Sequence, residues 1–463
     1  MERAVLRAVL ITAALLIIVG CAPANNVLFS HNPTVQTMPG ISSEMQTAGF
    51  WIDKLENPDG VIMTAEGIEE FNFVAASNHN IIKVSEYDDY KSSADIRSSI
   101  LELYNAVADR ELYFENGVYA DRKSLSGLYE QFRLDELSPQ NPVSFGIVTQ
   151  NVSQRVLPTD RKLARKGIGF GYIDRLQMNA LDAGSPVAVL WSAKDGEWLY
   201  VRSALTVGWV RAAYVALCSR YEAAAWENPP EFIVAEKYRV SVYSGPALRG
   251  YISWLALGGR APLDKAAIKF DNLIAILWPY RDDDGWLKVD TGYVESKDVS
   301  VGYLPYTSRN AINLAFEMLH APYGWGGMNG EEDCSGFIMR VFGAMGLKLP
   351  RNSSQQGNTG DIVYSDQNND NELSAKTAIN SYGAPGVTAL QFPGHIMLYL
   401  GSLGGEPYVI HAIWSFETDN GDGLIAFLPA RVTVSNLNLG KGTKLGVYHK
   451  RITNARVMRL PQN

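Results

Sequence analysis

Cysteine is scarce in this sequence: the 463 residues include three, Cys21, Cys218 and Cys334. Disulfide-stabilised scaffolds use more cysteines, in even numbers, so a disulfide framework is not expected. The C-x-x-C, H-E-x-x-H and EF-hand patterns are also missing. The sequence therefore supports neither a metal site nor a cofactor.

A basic stripe is missing as well. The chain carries a formal net charge of −8 at pH 7. Binding to nucleic-acid phosphates needs clustered lysine and arginine. We therefore expect no nucleic-acid partner.

Long apolar runs are confined to the N-terminus. Arg3 and Arg7 precede an apolar run at 8–20, which is too short to span a bilayer and has the length of a signal-peptide core. Cys21 follows this run after a glycine and resembles the lipid-bearing cysteine of a bacterial lipobox. We expect residues 1–20 to be removed, Cys21 to attach the chain to a membrane through lipid, and the remainder to be soluble. The alternative is an ordinary signal peptide followed by a chance cysteine.

The residue after the expected lipidation site is Ala22 and not an aspartate. This favours the outer membrane, facing the periplasm, if the cell has two membranes. We therefore expect a lipid-anchored protein of the cell envelope.

The chain is too long for one compact core, so several domains are expected. Residues 21–142 are predicted to form a helical N-terminal domain, with a polar tether at 22–50. Apolar residues at steps of three and four predict a helix from about Ser93. A second helix is predicted over 123–133.

Two stretches of short strands follow, at 143–218 and 219–300. In both, an Asp-Gly turn leads into a strand that bears tryptophan, at Asp195-Gly196 and at Asp284-Gly285. Asp-Gly between apolar runs is a strong hairpin signal. The recurrence predicts two small β-barrels in tandem.

Residues 301–463 contain helices and then strands, which predicts an α+β domain. Thr307 is placed to cap the first helix. Strands are predicted at His395–Leu400 and Tyr408–Ile413.

Cys334 begins a run with apolar residues at helical spacing, so it lies at the start of a predicted helix. Free N–H groups and the helix dipole favour an anion at this position, which lowers a thiol pKa and enriches the nucleophilic thiolate. A buried structural cysteine is the alternative, but the flanking Asp333, Ser335 and Gly336 are small or polar. Cys334 is therefore the candidate nucleophile.

A nucleophilic cysteine needs a base. His395 and His411 lie on two neighbouring predicted strands, which can bring both imidazoles to one helix end. His395 is then the candidate base and His411 the residue that orients it. Taken singly, either histidine could be a half-buried structural residue.

Five motifs together resemble the NlpC/P60 cysteine peptidases. They are Tyr-Gly-Trp-Gly-Gly at 323–327, Asp-Cys-Ser-Gly-Phe at 333–337, Leu-Pro-Arg-Asn-Ser-Ser-Gln-Gln at 349–356, Gly-His-Ile-Met-Leu-Tyr at 394–399 and Tyr-Val-Ile-His-Ala at 408–412. The resemblance implies a papain-like α+β core with a Cys-His-His arrangement. It covers most of residues 301–450.

The resemblance extends upstream with weaker motifs. Residues 155–159, 174–177 and 208–210 are similar to parts of a first bacterial SH3 (SH3b) domain, and residues 235–305 resemble a second. The helical region is similar to the N-terminal stabilising domain of the same multidomain subgroup. The implied fold is a papain-like catalytic domain preceded by two SH3-like barrels and a helical domain.

That subgroup implies hydrolysis of the γ-D-glutamyl–diamino acid bond in peptidoglycan stem peptides with a free N-terminal L-Ala. By resemblance, Asp333, Ser335 and Ser353 contact the substrate, and Trp325 lies in the motif before the nucleophile. An Asp333 carboxylate facing the L-Ala ammonium is physically reasonable. Gln177 and Thr206 occupy the apparent positions of a glutamate and a tyrosine that face the cleft from the first SH3b domain in better-known relatives.

Two other functions are compatible with these residues. A wall-binding protein that has lost catalysis would use the same barrels, although Cys334, His395 and His411 are all intact. An acyl-transfer enzyme on the same core would have the same cysteine and histidines. Protein partners cannot be inferred from the sequence.

Overall fold

The computed structural model describes residues 37–166, 173–268, 270–368, 374–419 and 424–461. Along the chain, a helical region, two β-domains and an α+β domain follow one another. This confirms the predicted multidomain fold class. The predicted signal segment and Cys21 lie outside the described residues. Within these ranges, no helix combines the length and the apolar character that crossing a membrane requires.

The N-terminal region contributes to two different cores. Its helices are Ala48–Ile52, Ala65–His79, Ser93–Ala108 and Ser126–Glu130, and its short strands are Tyr90–Ser92, Tyr113–Phe114 and Gln140–Pro142. The first two helices pack on the C-terminal domain. The other two pack on the first β-domain.

The segment predicted as a tether is packed where the structure describes it. Met38 and Ile41 are 5% and 8% exposed and belong to the core of the C-terminal domain. The carbonyl of Met45 accepts a hydrogen bond from the indole N–H of Trp51, whose ring lies 5.3 Å from the ring of Tyr408 in the C-terminal sheet. The prediction of a loose arm is therefore wrong for residues 37–50. Apolar residues within this polar stretch pack against the C-terminal domain, which lies far along the chain.

The predicted helix at Ser93 is present, and its buried face includes Ile96, Ile100 and Val107. The helix predicted over 123–133 is shorter than expected, at Ser126–Glu130. Turns on either side of that helix carry the remaining predicted residues.

The first β-domain contains one seven-stranded sheet. Its strands are Ser144–Val148, Val152–Arg155, Gln177–Leu181, Pro186–Ser192, Trp198–Arg202, Val207–Arg211 and Val215–Cys218. The predicted Asp-Gly hairpin is confirmed: Gly196 has φ 73° and joins two antiparallel strands. A further short strand, Leu163–Ala164, pairs with Tyr113–Phe114 of the helical region.

Helix Arg220–Glu227 separates the two β-domains. The Glu227 carboxylate accepts hydrogen bonds from the backbone N–H groups of Val84 and Ser85. This helix therefore packs with the helical region, although the sequence assigned it to the second β-domain.

The second β-domain contains a three-stranded and a four-stranded sheet. Its strands are Phe232–Ala235, Arg239–Tyr243, Tyr251–Ala256, Arg260–Pro262, Leu273–Arg281, Leu287–Glu295 and Val299–Val301. The second Asp-Gly hairpin is also present, with Gly285 at φ 92° between antiparallel strands.

The C-terminal domain packs helices on a six-stranded antiparallel sheet. The strands, in spatial order, are Asp361–Ser365, Asn454–Val457, Thr388–Phe392, His395–Leu403, Glu406–Ile413 and Arg431–Asn436. The helices are Ser308–Glu317, Cys334–Gly343, Ser353–Gln356, Ala375–Tyr382 and Tyr448–Arg451, and a separate hairpin joins Phe416–Asp419 to Leu424–Phe427. Thr307 caps the first helix as predicted, because its side chain accepts the N–H of Asn310.

Candidate active site

Cys334 is the first residue of helix Cys334–Gly343, as the sequence predicted. Asp333 is the N-cap, and its carboxylate accepts the N–H of Gly336 at 2.8 Å. The apolar face of the helix packs against the sheet. At this contact the backbone N–H of Ile396 donates a hydrogen bond to the Cys334 thiol. Ile396 is the neighbour of His395 in sequence.

The thiol pKa differs from the expectation for a helix start. Burial raises the pKa of Cys334 to about 12, and the negative charge of Asp333 acts in the same direction. The N–H groups of Ile396 and Ser335 lower it by less. The thiol is therefore protonated in the ligand-free protein, because desolvation of the thiolate outweighs the helix start.

The two histidines lie in the adjacent antiparallel strands His395–Leu403 and Glu406–Ile413. His395 Nε2 is 2.7 Å from His411 Nδ1. His411 is fully buried, and its Nε2 is 3.0 Å from the hydroxyl of Ser435. If Ser435 accepts from His411 and His411 accepts from His395, then His395 Nδ1 carries the free lone pair that a base needs.

Burial keeps both imidazoles neutral. It lowers the pKa of His395 to about 3, and the nearby Arg451 cation adds to this shift. Burial also lowers the pKa of His411 well below its usual value. The resting site therefore pairs a neutral thiol with a neutral base, so the proton must move as the substrate is attacked.

Arg351 forms the centre of a buried polar network that the sequence did not predict. Its guanidinium binds both oxygens of Asp333, at 2.7 and 3.1 Å. It also donates to the Ser335 hydroxyl at 2.9 Å and to the Asn179 side chain of the first β-domain at 2.8 Å. Arg351 therefore joins the start of the catalytic helix to the first β-domain.

This network determines the state of Asp333. Burial alone would raise the pKa of Asp333, but the Arg351 guanidinium and the N–H groups of Gly336 and Gly326 outweigh burial and hold the pKa below its usual range. The carboxylate is thus ionised and already paired. Substrate contacts by Asp333 and Ser335 stay predictions.

Gln177 is buried in the wall between the two domains. Its amide donates to the carbonyls of Asn179 and Gly326, at 2.8 and 3.0 Å. Thr206 also turns inward, to the side chain of Gln154. Gln177 therefore holds the turn Trp325–Gly330, and a direct contact with substrate stays a prediction.

Trp325 and Ser353 are half-buried. Arg175 of the first β-domain lies over the Trp325 ring, with the guanidinium carbon 4.3 Å from the ring centroid. Ser353 begins helix Ser353–Gln356. Gln356 follows less than one helical turn later, and its side-chain amide donates a hydrogen bond to the carbonyl of Ser335.

Within the described ranges, no three His, Cys, Asp or Glu side chains are arranged to hold a metal ion.

Family models match two parts of the chain. Residues 320–418 match the NlpC/P60 family, and residues 161–211 match the SH3 domain of SH3b1 type. A solved NlpC/P60 endopeptidase from Photobacterium damselae subsp. piscicida shares the fold with a TM-score of 0.69 and 18% identity, covering 92% of this chain and 99% of that chain.

Two curated proteins of Bacillus subtilis (strain 168) are similar in sequence. The gamma-D-glutamyl-L-lysine dipeptidyl-peptidase is 32% identical over 95 residues, which are 19% of this chain and 32% of that protein. The bifunctional muramidase/DL-endopeptidase CwlT is 29% identical over 115 residues, 23% of this chain and 35% of that protein. The chain thus spans about a third of the length of each relative. The two family matches show that the chain carries a domain of the NlpC/P60 family, preceded by an SH3b domain.

Proposed function

We propose that this protein hydrolyses the γ-D-glutamyl–diamino acid bond of peptidoglycan stem peptides, with a preference for fragments that begin with a free L-Ala. The row of hydrogen bonds from His395 through His411 to Ser435, beside a cysteine at a helix start, carries the proposal. One similar protein of Bacillus subtilis is a gamma-D-glutamyl-L-lysine dipeptidyl-peptidase, which supports the choice of bond.

In this proposal, His395 accepts the Cys334 proton as the sulfur attacks the γ-carbonyl of D-Glu. The first-turn N–H groups of the helix stabilise the negative charge that develops on the carbonyl oxygen. His395 then gives the proton to the departing diamino-acid nitrogen, which leaves a thioester. Water, activated by His395, hydrolyses the thioester and restores the thiol. His411 orients His395 throughout.

The preference for small fragments has a steric basis. A Cβ atom at Gly326 would lie 2.9 Å from the Gln177 carbonyl oxygen, and one at Gly327 would lie 2.6 Å from the Ala180 Cβ. The first β-domain therefore sits directly on the turn that precedes the catalytic helix. A wall at this distance leaves little room for a sugar attached to the substrate N-terminus.

The test compares L-Ala-γ-D-Glu-diamino acid with its N-acetyl form, with products identified by mass spectrometry. We expect the free peptide to be cleaved about a hundredfold faster in kcat/KM, because a charge-assisted contact to the amine is worth a few kcal/mol. Equal rates would show that the amine is not recognised. Transfer products with an added acceptor amine would favour the acyl-transfer alternative, and turnover of neither peptide would favour a binding protein.

We also propose that the mature chain begins at a lipid-bearing Cys21 in the cell envelope, on the outer membrane if the cell has two membranes. Stable attachment needs more than one acyl chain, and a bacterial lipoprotein cysteine carries several. Wild type should therefore sediment with membranes, whereas the Cys21→Ser variant should be soluble or unprocessed. Fractionation with mass measurement of the mature N-terminus decides this. Recovery of unlipidated wild type in the soluble fraction would refute the anchor.

A further inference from the structure

Arg175 differs from the other arginines at the junction of the first β-domain and the C-terminal domain. Arg155, Arg340 and Arg351 each hold a carboxylate within 3 Å. The half-buried guanidinium of Arg175 makes no hydrogen bond or ion pair with any residue that the structure describes, and its stack on Trp325 fixes its position. A partly desolvated cation without a partner is costly, so an anionic ligand is the natural complement.

The charges around Arg175 add to this imbalance. Burial lowers the pKa of Arg175, and the exposed cations Arg165 and Arg110 act in the same direction. Two further positive charges therefore lie near enough to act on the guanidinium of Arg175. Such a cluster attracts an anion and repels a free cation.

Tyr323 links this region to the nucleophile. Burial raises the pKa of the Tyr323 phenol, an ionised Cys334 would raise it further, as the Asp333 carboxylate does, and the cations Arg351 and Arg175 oppose the shift. The phenol is therefore within electrostatic reach of both Cys334 and Arg175. Tyr323 is half-buried, and its hydroxyl makes no hydrogen bond with the described residues.

A γ-linked glutamyl residue provides the matching anion. Because its amide bond runs through the side-chain carboxyl, its α-carboxylate is free and lies only a few bonds from the carbonyl that is attacked. We propose that Arg175, with the Tyr323 hydroxyl as a second donor, binds this α-carboxylate and selects stem peptides whose D-Glu is not amidated. The inference rests on the proposed function and adds a specificity-determining residue to it.

The experiment uses the full mature chain and two peptides that differ in one group. One is L-Ala-γ-D-Glu-diamino acid, and the other carries the α-amide in place of the α-carboxylate. We expect wild type to favour the carboxylate about 10- to 100-fold in kcat/KM, the range for a hydrogen bond to a charged group. In Arg175→Gln, kcat/KM should fall by that factor on the carboxylate peptide and stay unchanged on the amide peptide. The ratio of kcat/KM for the two peptides should then be near one.

Two further variants sharpen the result. Arg175→Lys keeps the charge but loses the planar fork, so it should retain part of the preference. Arg249→Gln removes an exposed arginine of the second β-domain and should behave as wild type. Calorimetric binding of both peptides to Cys334→Ala should show the same preference in Kd, independently of turnover.

Three outcomes would overturn the role of Arg175. Equal cleavage of both peptides by wild type overturns the role of Arg175 while the proposed function stands. Equal losses on both peptides in folded Arg175→Gln overturn it too, because Arg175 would then only support Trp325. If wild type cleaves neither peptide, the proposed function fails and the inference fails with it.

Discussion

Replacement of Cys334 by alanine should lower kcat by about a millionfold, the loss seen when a nucleophile is removed from a triad enzyme. The other groups of the site then have no bond-forming atom to serve, so only residual catalysis above water remains. The fold should survive, because the thiol side chain is small and the helix keeps its Asp333 cap. Hydrolysis of the defined stem peptide and circular dichroism are measured on the same sample.

Cys218 is the matched control. It is also buried, and burial raises its pKa to about 12 as well, but it lies in the core shared by the helical region and the first β-domain. Cys218→Ala should keep its activity in folded protein. Activity retained by a folded Cys334→Ala variant would remove Cys334 from the mechanism.

Much of the site could be predicted because its elements are local. Helical spacing placed Cys334 at a helix start, and a short hairpin placed His395 and His411 on paired strands. The Asp-Gly hairpins were predictable for the same reason, since turn chemistry depends on neighbouring residues.

The supporting contacts could not be predicted, because they join distant parts of the chain. Arg351 meets Asn179 across 172 residues, and Ser435 meets His411 from the next strand of the sheet. No short motif indicates either contact. The sign of the Cys334 pKa shift was missed for a related reason: it depends on burial beneath the sheet, which sequence spacing does not report.

The two histidines should differ in their effect on catalysis. His395→Ala removes the base and should lower kcat/KM about a millionfold, whereas His411→Ala removes only its orientation and should cost about ten-thousandfold. Ser435→Ala should cost less again, because Ser435 acts on His395 through His411. Steady-state rates for the three variants rank the roles. A greater loss for His411→Ala than for His395→Ala would reverse the assignment.

A second measurement separates a half-buried, neutral His395 from an ordinary surface histidine. In the folded chain the pKa of His395 is lowered to about 3, whereas in the unfolded chain it is about 6.5. Between these values the unfolded chain binds a proton that the folded chain does not, so the free energy of unfolding falls as the pH falls through this window. The loss from His395 alone is about 2 kcal/mol between pH 6.5 and pH 5.

His395→Gln lacks this titration, so its free energy of unfolding should fall less on acidification than that of wild type, by about the same 2 kcal/mol at pH 5. Denaturant unfolding of the C-terminal domain at pH 7 and pH 5, followed by a probe in that domain, measures the difference. His449→Gln is the control: burial also lowers the pKa of His449, but by less than that of His395, so this variant should leave most of the acid sensitivity in place. If His395→Gln were as acid-sensitive as wild type, His395 would be protonated in the folded chain, and it could not accept the proton of Cys334.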